Sequence, residues 1–122
     1  MVLIGSKYKF TKGAGKTLAK SGFINPNKIR YTQNNIKSSF SNGNSIYDTI
    51  KGLKSGKIKP GDIPPIRIFE KHGQRYTLDN RRLYAAEQAG VNVKYRMATE
   101  KGITNEAWKI TTKNNGTSIK VR

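Results

Sequence analysis

The sequence predicts one small mixed α+β domain, and three observations carry that expectation. Ile46, Ile50 and Leu53 fall at helical spacing on one apolar stripe. Val91, Val93, Tyr95 and Met97 alternate with Asn92, Lys94 and Arg96, as a half-buried strand requires. Between and around them the order along the chain reads helix, strand, strand, helix, strand.

The first 28 residues, rich in Gly, Lys and Ser with isolated Tyr8, Phe10 and Phe23, hold neither period, so they read as an irregular basic arm ahead of a domain spanning 29–122. Gly13-Ala14-Gly15-Lys16-Thr17 resembles part of a P-loop, but Phe10 stands where that motif needs glycine. Ile29 to Thr32 reads as a short strand and Gln33 to Phe40 as a brief helix or turn. Ser45 then caps a helix that Gly56 ends. Pro60 to Pro65 forms an extended link, Ile66 to Phe69 a strand, Lys71 to Gln74 a hairpin turn, and Arg75 to Leu78 the returning strand. A helix from Asn80 to Gln88 stops at Gly90, and the alternating strand follows. Thr104 to Ile110 is expected as a short helix carrying the one tryptophan, and Ser118 to Arg122 as a last strand after the Asn114-Asn115-Gly116 turn.

Composition narrows the functional class. The absence of cysteine excludes a disulfide framework, a thiolate metal site and a cysteine nucleophile. No apolar run approaches the roughly 18 residues of a membrane span, and Met1 to Ile4 is too short for a signal-peptide core, so no membrane insertion is expected. Against 7 acidic residues stand 24 Lys and Arg, a net charge of +17, and residues 1–47 carry no carboxylate side chain. An excess of this size repels itself in the folded state and points to a polyanionic partner.

The sharpest local signal is the run from Arg75 to Ala86, where a short strand leads straight into a helix that opens with Arg81 and Arg82. A helix start offers unpaired N–H groups and the positive end of the macrodipole, and two guanidinium forks there are unfavourable unless an anion joins them. Phosphate is the expected anion.

Ser45-Ile46-Tyr47-Asp48-Thr49-Ile50, Ile63-Pro64-Pro65-Ile66-Arg67-Ile68 and Tyr76 to Gly90, taken together, resemble the ParB and sulfiredoxin superfamily. In that family a helix precedes a Pro-Ile-like strand, a hairpin follows, and a Gly-Glu-Arg-Arg or Gly-His-Arg type motif opens a helix and binds nucleotide phosphate. Here Asp79 and Asn80 replace the Gly and the acidic or His residue, and no helix-turn-helix follows. The compact basic form is most similar to the ParB-like C-terminal toxin domains of bacterial polymorphic toxins, of the Rhs or contact-dependent inhibition type. That resemblance implies a small mixed sheet with flanking helices and a nuclease activity. It also implies delivery as the C-terminal part of a larger secreted toxin, action in the target-cell cytoplasm, and a cognate immunity protein. Charge complementarity makes the immunity protein acidic. A monomer is expected.

The residue types favour chemistry without a metal or cofactor, since one His and seven carboxylates show no paired-ligand spacing. RNA supplies its own 2′-OH nucleophile, so the enzyme need only orient it, move protons and stabilise charge. On this reading Arg81 and Arg82 clamp the scissile phosphate, Asp79 orients or accepts a proton, and Asn80 donates a hydrogen bond. Asp79 can equally be an ordinary helix cap. His72 is the side chain whose ordinary pKa lies nearest neutrality, although it falls in an exposed turn. Arg30, Gln33, Lys37 and Arg67 are expected to touch the phosphodiester backbone, with Arg67 facing opposite to Ile66 and Ile68. Tyr76 and Tyr31 are expected to stack on bases; Tyr84 and Trp108 are candidates for the same role but read as core. RNA, including tRNA, stands slightly ahead of DNA. An ATP- or CTP-binding enzyme or switch and a non-catalytic nucleic-acid-binding module stay open as alternatives.

Overall fold

The computed structural model describes residues 18–122 and shows a mixed α+β domain whose described part holds three α-helices and a mixed sheet. Most of the expected arm, residues 1–17, lies outside the described residues. Its last part is not irregular: Ser21–Ile24 is strand β1, and a 3-10 turn at Pro26–Lys28 joins it to β2, Arg30–Tyr31. A four-residue strand that exposes Phe23 and buries only Ile24 is too short to show a period.

The next strand, β3, Asn35–Ile36, lies where a brief helix or turn was expected. It pairs in parallel with β7, Lys120–Val121, a partner far along the chain. Local propensity carries no trace of such a partner.

Helix α1, Ile46–Ser55, follows the sequence closely. The Ser45 side chain accepts from the Tyr47 N–H at 3.1 Å, Gly56 ends the helix at φ 82°, and Ile46, Ile50 and Leu53 are buried on one stripe. The Pro60–Asp62 segment closes a 3-10 turn before the chain extends through Pro64 and Pro65.

Strands β4, Ile66–Lys71, and β5, Gln74–Thr77, form the expected hairpin. Its turn residues His72 and Gly73 adopt φ of 52° and 77°, the left-handed pair that matches the twist of a tight hairpin. Helix α2, Asn80–Ala89, ends on Gly90 at φ 72°, and β6, Val93–Met97, returns to the sheet. Helix α3, Glu100–Asn105, begins earlier than expected because the Thr99 hydroxyl caps the Gly102 N–H at 3.0 Å, and a separate 3-10 turn, Ala107–Lys109, carries Trp108.

The five-stranded sheet runs β1-β6-β4-β5-β2. β1–β6 and β4–β5 pair antiparallel, while β6–β4 and β5–β2 pair parallel. Leu83 and Ala86 of α2 pack on Ile66, Ile68, Val93 and Tyr95, and Ala85 turns to the α1 stripe, so α2 and then α1 stack outward from one face. Phe69, Tyr76 and Leu78 face the other way and are covered by Ala98, Ile103 and Ile110. Gly116 packs against β2 with its carbonyl accepting from Tyr31 N–H at 3.0 Å; a Cβ there would lie 2.2 Å from the Tyr31 carbonyl oxygen, so only glycine fits. These layers hold the junction of β5 and α2 at one end of the central strands.

Candidate functional site

At that junction Asp79 is buried with 4% of its side chain exposed, and its carboxylate is enclosed by arginine. Oδ2 accepts from the backbone N–H of Arg67 at 2.7 Å and from its Nε at 2.9 Å; Oδ1 accepts from Arg67 Nη2 at 2.7 Å and from Arg82 Nη2 at 3.2 Å. Burial pushes the Asp79 carboxyl up, but the hydrogen bonds from Arg67 and the charge of Arg82 outweigh burial and hold it below its ordinary value. A carboxylate so committed orients its neighbours and is a poor proton acceptor. Asp79 occupies the cap position without capping through its side chain.

Arg67 faces away from Ile66 and Ile68, as its alternation requires, but it does not reach out for a phosphodiester backbone. The far side of its guanidinium grips Glu106: Nη1 pairs with Oε2, and Nη2 donates to Oε1 at 3.0 Å. Lys109 Nζ meets the same Oε1 at 2.7 Å and donates to the Leu78 carbonyl at 3.1 Å. Hydrogen bonds from Arg67 hold the Glu106 carboxyl down to about 2, with Lys109 adding to them against a smaller opposing effect of burial. Bonds to Asp79 and Glu106 in turn raise Arg67 further above its ordinary value, so it is charged at any working pH. An ion network thus ties β4, the start of α2 and the Trp108 turn together.

Asn80 is an internal latch. Its Oδ1 accepts from the Thr32 N–H at 2.8 Å and the Gln33 N–H at 3.3 Å, while Nδ2 donates to Thr32 Oγ1 at 3.0 Å and Gln33 Oε1 at 3.2 Å. The expected donor to phosphate is therefore used to fasten the segment after β2 to the helix.

Arg81 and Arg82 divide their work. Arg82 spends its guanidinium on Asp79 and on the carbonyls of Pro64 and Pro65, at 3.2 and 2.7 Å. Arg81 donates from Nη1 to the Ser39 carbonyl at 2.7 Å and keeps the rest of its fork for a groove of about 1010 Å³. The groove runs between the segment holding Gln33 and Lys37, the loop from Ser39 to Asn44, the α2 start, and the turn holding Trp108 and Lys109. Arg122 completes it, held by Nε to Asn35 Oδ1 at 2.7 Å.

The expected site residues thus fall into two sets. Asp79, Asn80, Arg81, Arg82, Gln33 and Lys37 line the groove. His72, Arg30, Arg67 and Tyr76 do not. His72 is exposed at the hairpin tip, at the opposite end of β5 from α2, where the turn rather than the groove uses it. Arg30 donates to the Asn115 carbonyl at 3.2 Å. Tyr76 is corrected from base-stacking surface to core: it is 7% exposed and stacks on Phe69 with ring centroids 6.0 Å apart. Tyr31, also buried, donates its hydroxyl to Glu87 at 2.6 Å, and burial followed by that bond drives its phenol up.

Trp108 is corrected in the opposite sense. Read as core, it is 69% exposed and stands on the groove. A signal for this was present, since Thr104, Asn105, Thr111 and Thr112 occupy every helical-neighbour position and leave Trp108 no apolar stripe to join. Glu106, Lys109 and Arg122 were also missed; each acts through contacts distant in sequence.

Among the described residues, five cationic side chains, Lys37, Arg81, Arg82, Lys109 and Arg122, therefore line the groove, against the carboxylates of Asp62 and the ion-paired Asp79. Among the described residues no three His, Asp or Glu side chains gather as a metal ion requires. No helix there is long and apolar enough to cross a membrane. Compared with known proteins, the chain matches no family model, no curated protein and no solved structure.

Proposed function

We propose that the protein binds nucleic acid in this groove and cleaves its phosphodiester backbone. The observation that carries the reading is the cation-lined groove beside the α2 start on a chain of net charge +17. Phosphate contacts from lysine and arginine supply sequence-independent affinity, and an arginine with spare donors stabilises charge that develops on a phosphorane. Arg81 takes that role. Asp79 acts through Arg67 and Arg82, fixing the corner that presents Arg81.

The resemblance of the Ser45 to Gly90 segment to ParB-like proteins supports the nuclease assignment, and the compact basic form supports an antibacterial toxin domain neutralised by an acidic immunity protein. RNA is the preferred substrate because its own 2′-OH can serve as the nucleophile, which the protein need only orient while stabilising the developing charge. A specific observation favours a second reading, a non-catalytic nucleic-acid-binding module: Asp79 is locked in ion pairs and His72 lies away from the groove.

Induced expression in bacteria separates these readings when RNA and chromosomal DNA from arrested cells are both inspected. Degraded RNA, absent with Arg81→Ala, is the expected result. Fragmented DNA with intact RNA would change the substrate. Intact RNA and DNA together would leave the binding module.

A further inference from the structure

We infer that Trp108 is a stacking platform for an unpaired base, so that the ligand of the groove is single-stranded nucleic acid. The inference rests on the groove being a nucleic-acid site and names the class of ligand within it. Three observations lead there. The indole is 69% exposed on the groove wall, an unfavourable position for the largest apolar side chain in the absence of a partner. The turn that carries it is nonetheless held on both sides. Glu106 is held by Arg67 and Lys109, and the N–H groups of Thr111 and Thr112 donate to the Thr32 carbonyl at 2.8 and 2.9 Å. A ring on a bolted turn is pre-organised for a flat partner and loses little freedom when one arrives.

Charge identifies that partner. Lys109 Nζ lies 5.8 Å from the indole centroid, and Arg81 and Arg122 line the same groove. Aromatic faces interleaved with cations hold single strands, in which phosphates run along the charges and bases turn onto the rings. A duplex keeps its bases stacked inside and offers phosphates and base edges but no free base face for the ring. An acidic polypeptide would satisfy the charges but has no regular flat face for the ring.

Because Trp108 is the only tryptophan, intrinsic fluorescence reports on this position alone. The purified protein is titrated with a 2′-O-methyl oligonucleotide of about eight nucleotides, which resists attack through the 2′ position, and with the matching duplex and polyglutamate. The expected result is strong quenching by the single strand, little by the duplex, and a loss of single-strand affinity of about tenfold in Trp108→Ala. Trp108→Phe should recover part of that affinity, and duplex affinity should change less than about twofold. Single-strand binding that is unquenched and unaltered in Trp108→Ala, yet lost in Arg81→Ala, would overturn the stacking role while leaving the groove reading intact. Quenching by polyglutamate but not by the oligonucleotide would overturn it in favour of an acidic protein partner. Binding of neither nucleic acid form would overturn both readings.

Discussion

Asp79 shows how a residue chosen for chemistry can be used for architecture. Its buried carboxylate takes four donors from Arg67 and Arg82, so removing it leaves the Arg67 backbone N–H and Nε without their acceptor and takes the shared counter-charge from two guanidinium groups at the junction of β4 and α2. Breaking one side of a buried pair is costly, and Asp79→Ala should destabilise the domain by about 3 kcal/mol, measured as a shift of the urea unfolding midpoint. The same network sets an acid limit. The folded carboxyl values of Asp79 and Glu106 lie below their ordinary values of 3.8 and 4.5, so on acidification the unfolded chain takes up protons first. Their stabilisation is complete above about pH 5 and fades as pH falls toward about 2, the folded value of Glu106. The melting temperature should fall across that window and fall less in a Glu106→Gln variant, which a thermal scan at stepped pH checks.

Elements whose signals are local were legible in the sequence. The α1 stripe with its Ser45 cap and Gly56 stop, the His72-Gly73 hairpin turn, and the Gly90 end of α2 are each set by residues within a few positions of one another. The corner at Asp79 to Arg82 was legible as a place, because strand and helix patterns meet there. The roles within it were not. Asn80 is claimed by Thr32 and Gln33, Arg67 by Glu106, and β3 by β7, and no period or motif encodes such distant partners. The Asn80 latch is testable: Asn80→Ala leaves the Thr32 and Gln33 N–H groups without their acceptor, should cost about 2 kcal/mol, and should speed amide exchange at Gln33 more than in α1.

At the scale of the whole molecule, the excess of 24 basic over 7 acidic residues has a groove in which to act, and the lining cations not held in ion pairs, Lys37, Arg81 and Arg122, set how binding responds to salt. If about three phosphates are neutralised there, the logarithm of single-strand affinity should fall against the logarithm of salt concentration with a slope of about −2. A slope near zero would mean that affinity comes from apolar contact alone. Reversing one groove charge, as in Lys37→Glu, should lower affinity for all sequences alike and flatten the slope by about one.

The groove is tested most directly by mapping amide and indole N–H chemical shifts of the isotope-labelled protein while a 2′-O-methyl oligonucleotide is added. The expected result is that shifts concentrate at Gln33, Lys37, Arg81, Lys109 and the Trp108 indole, with the His72 hairpin and the exposed Phe23 strand unmoved. Shifts centred on His72 or Phe23, with the Trp108 indole and Arg81 unchanged, would contradict the groove as the site.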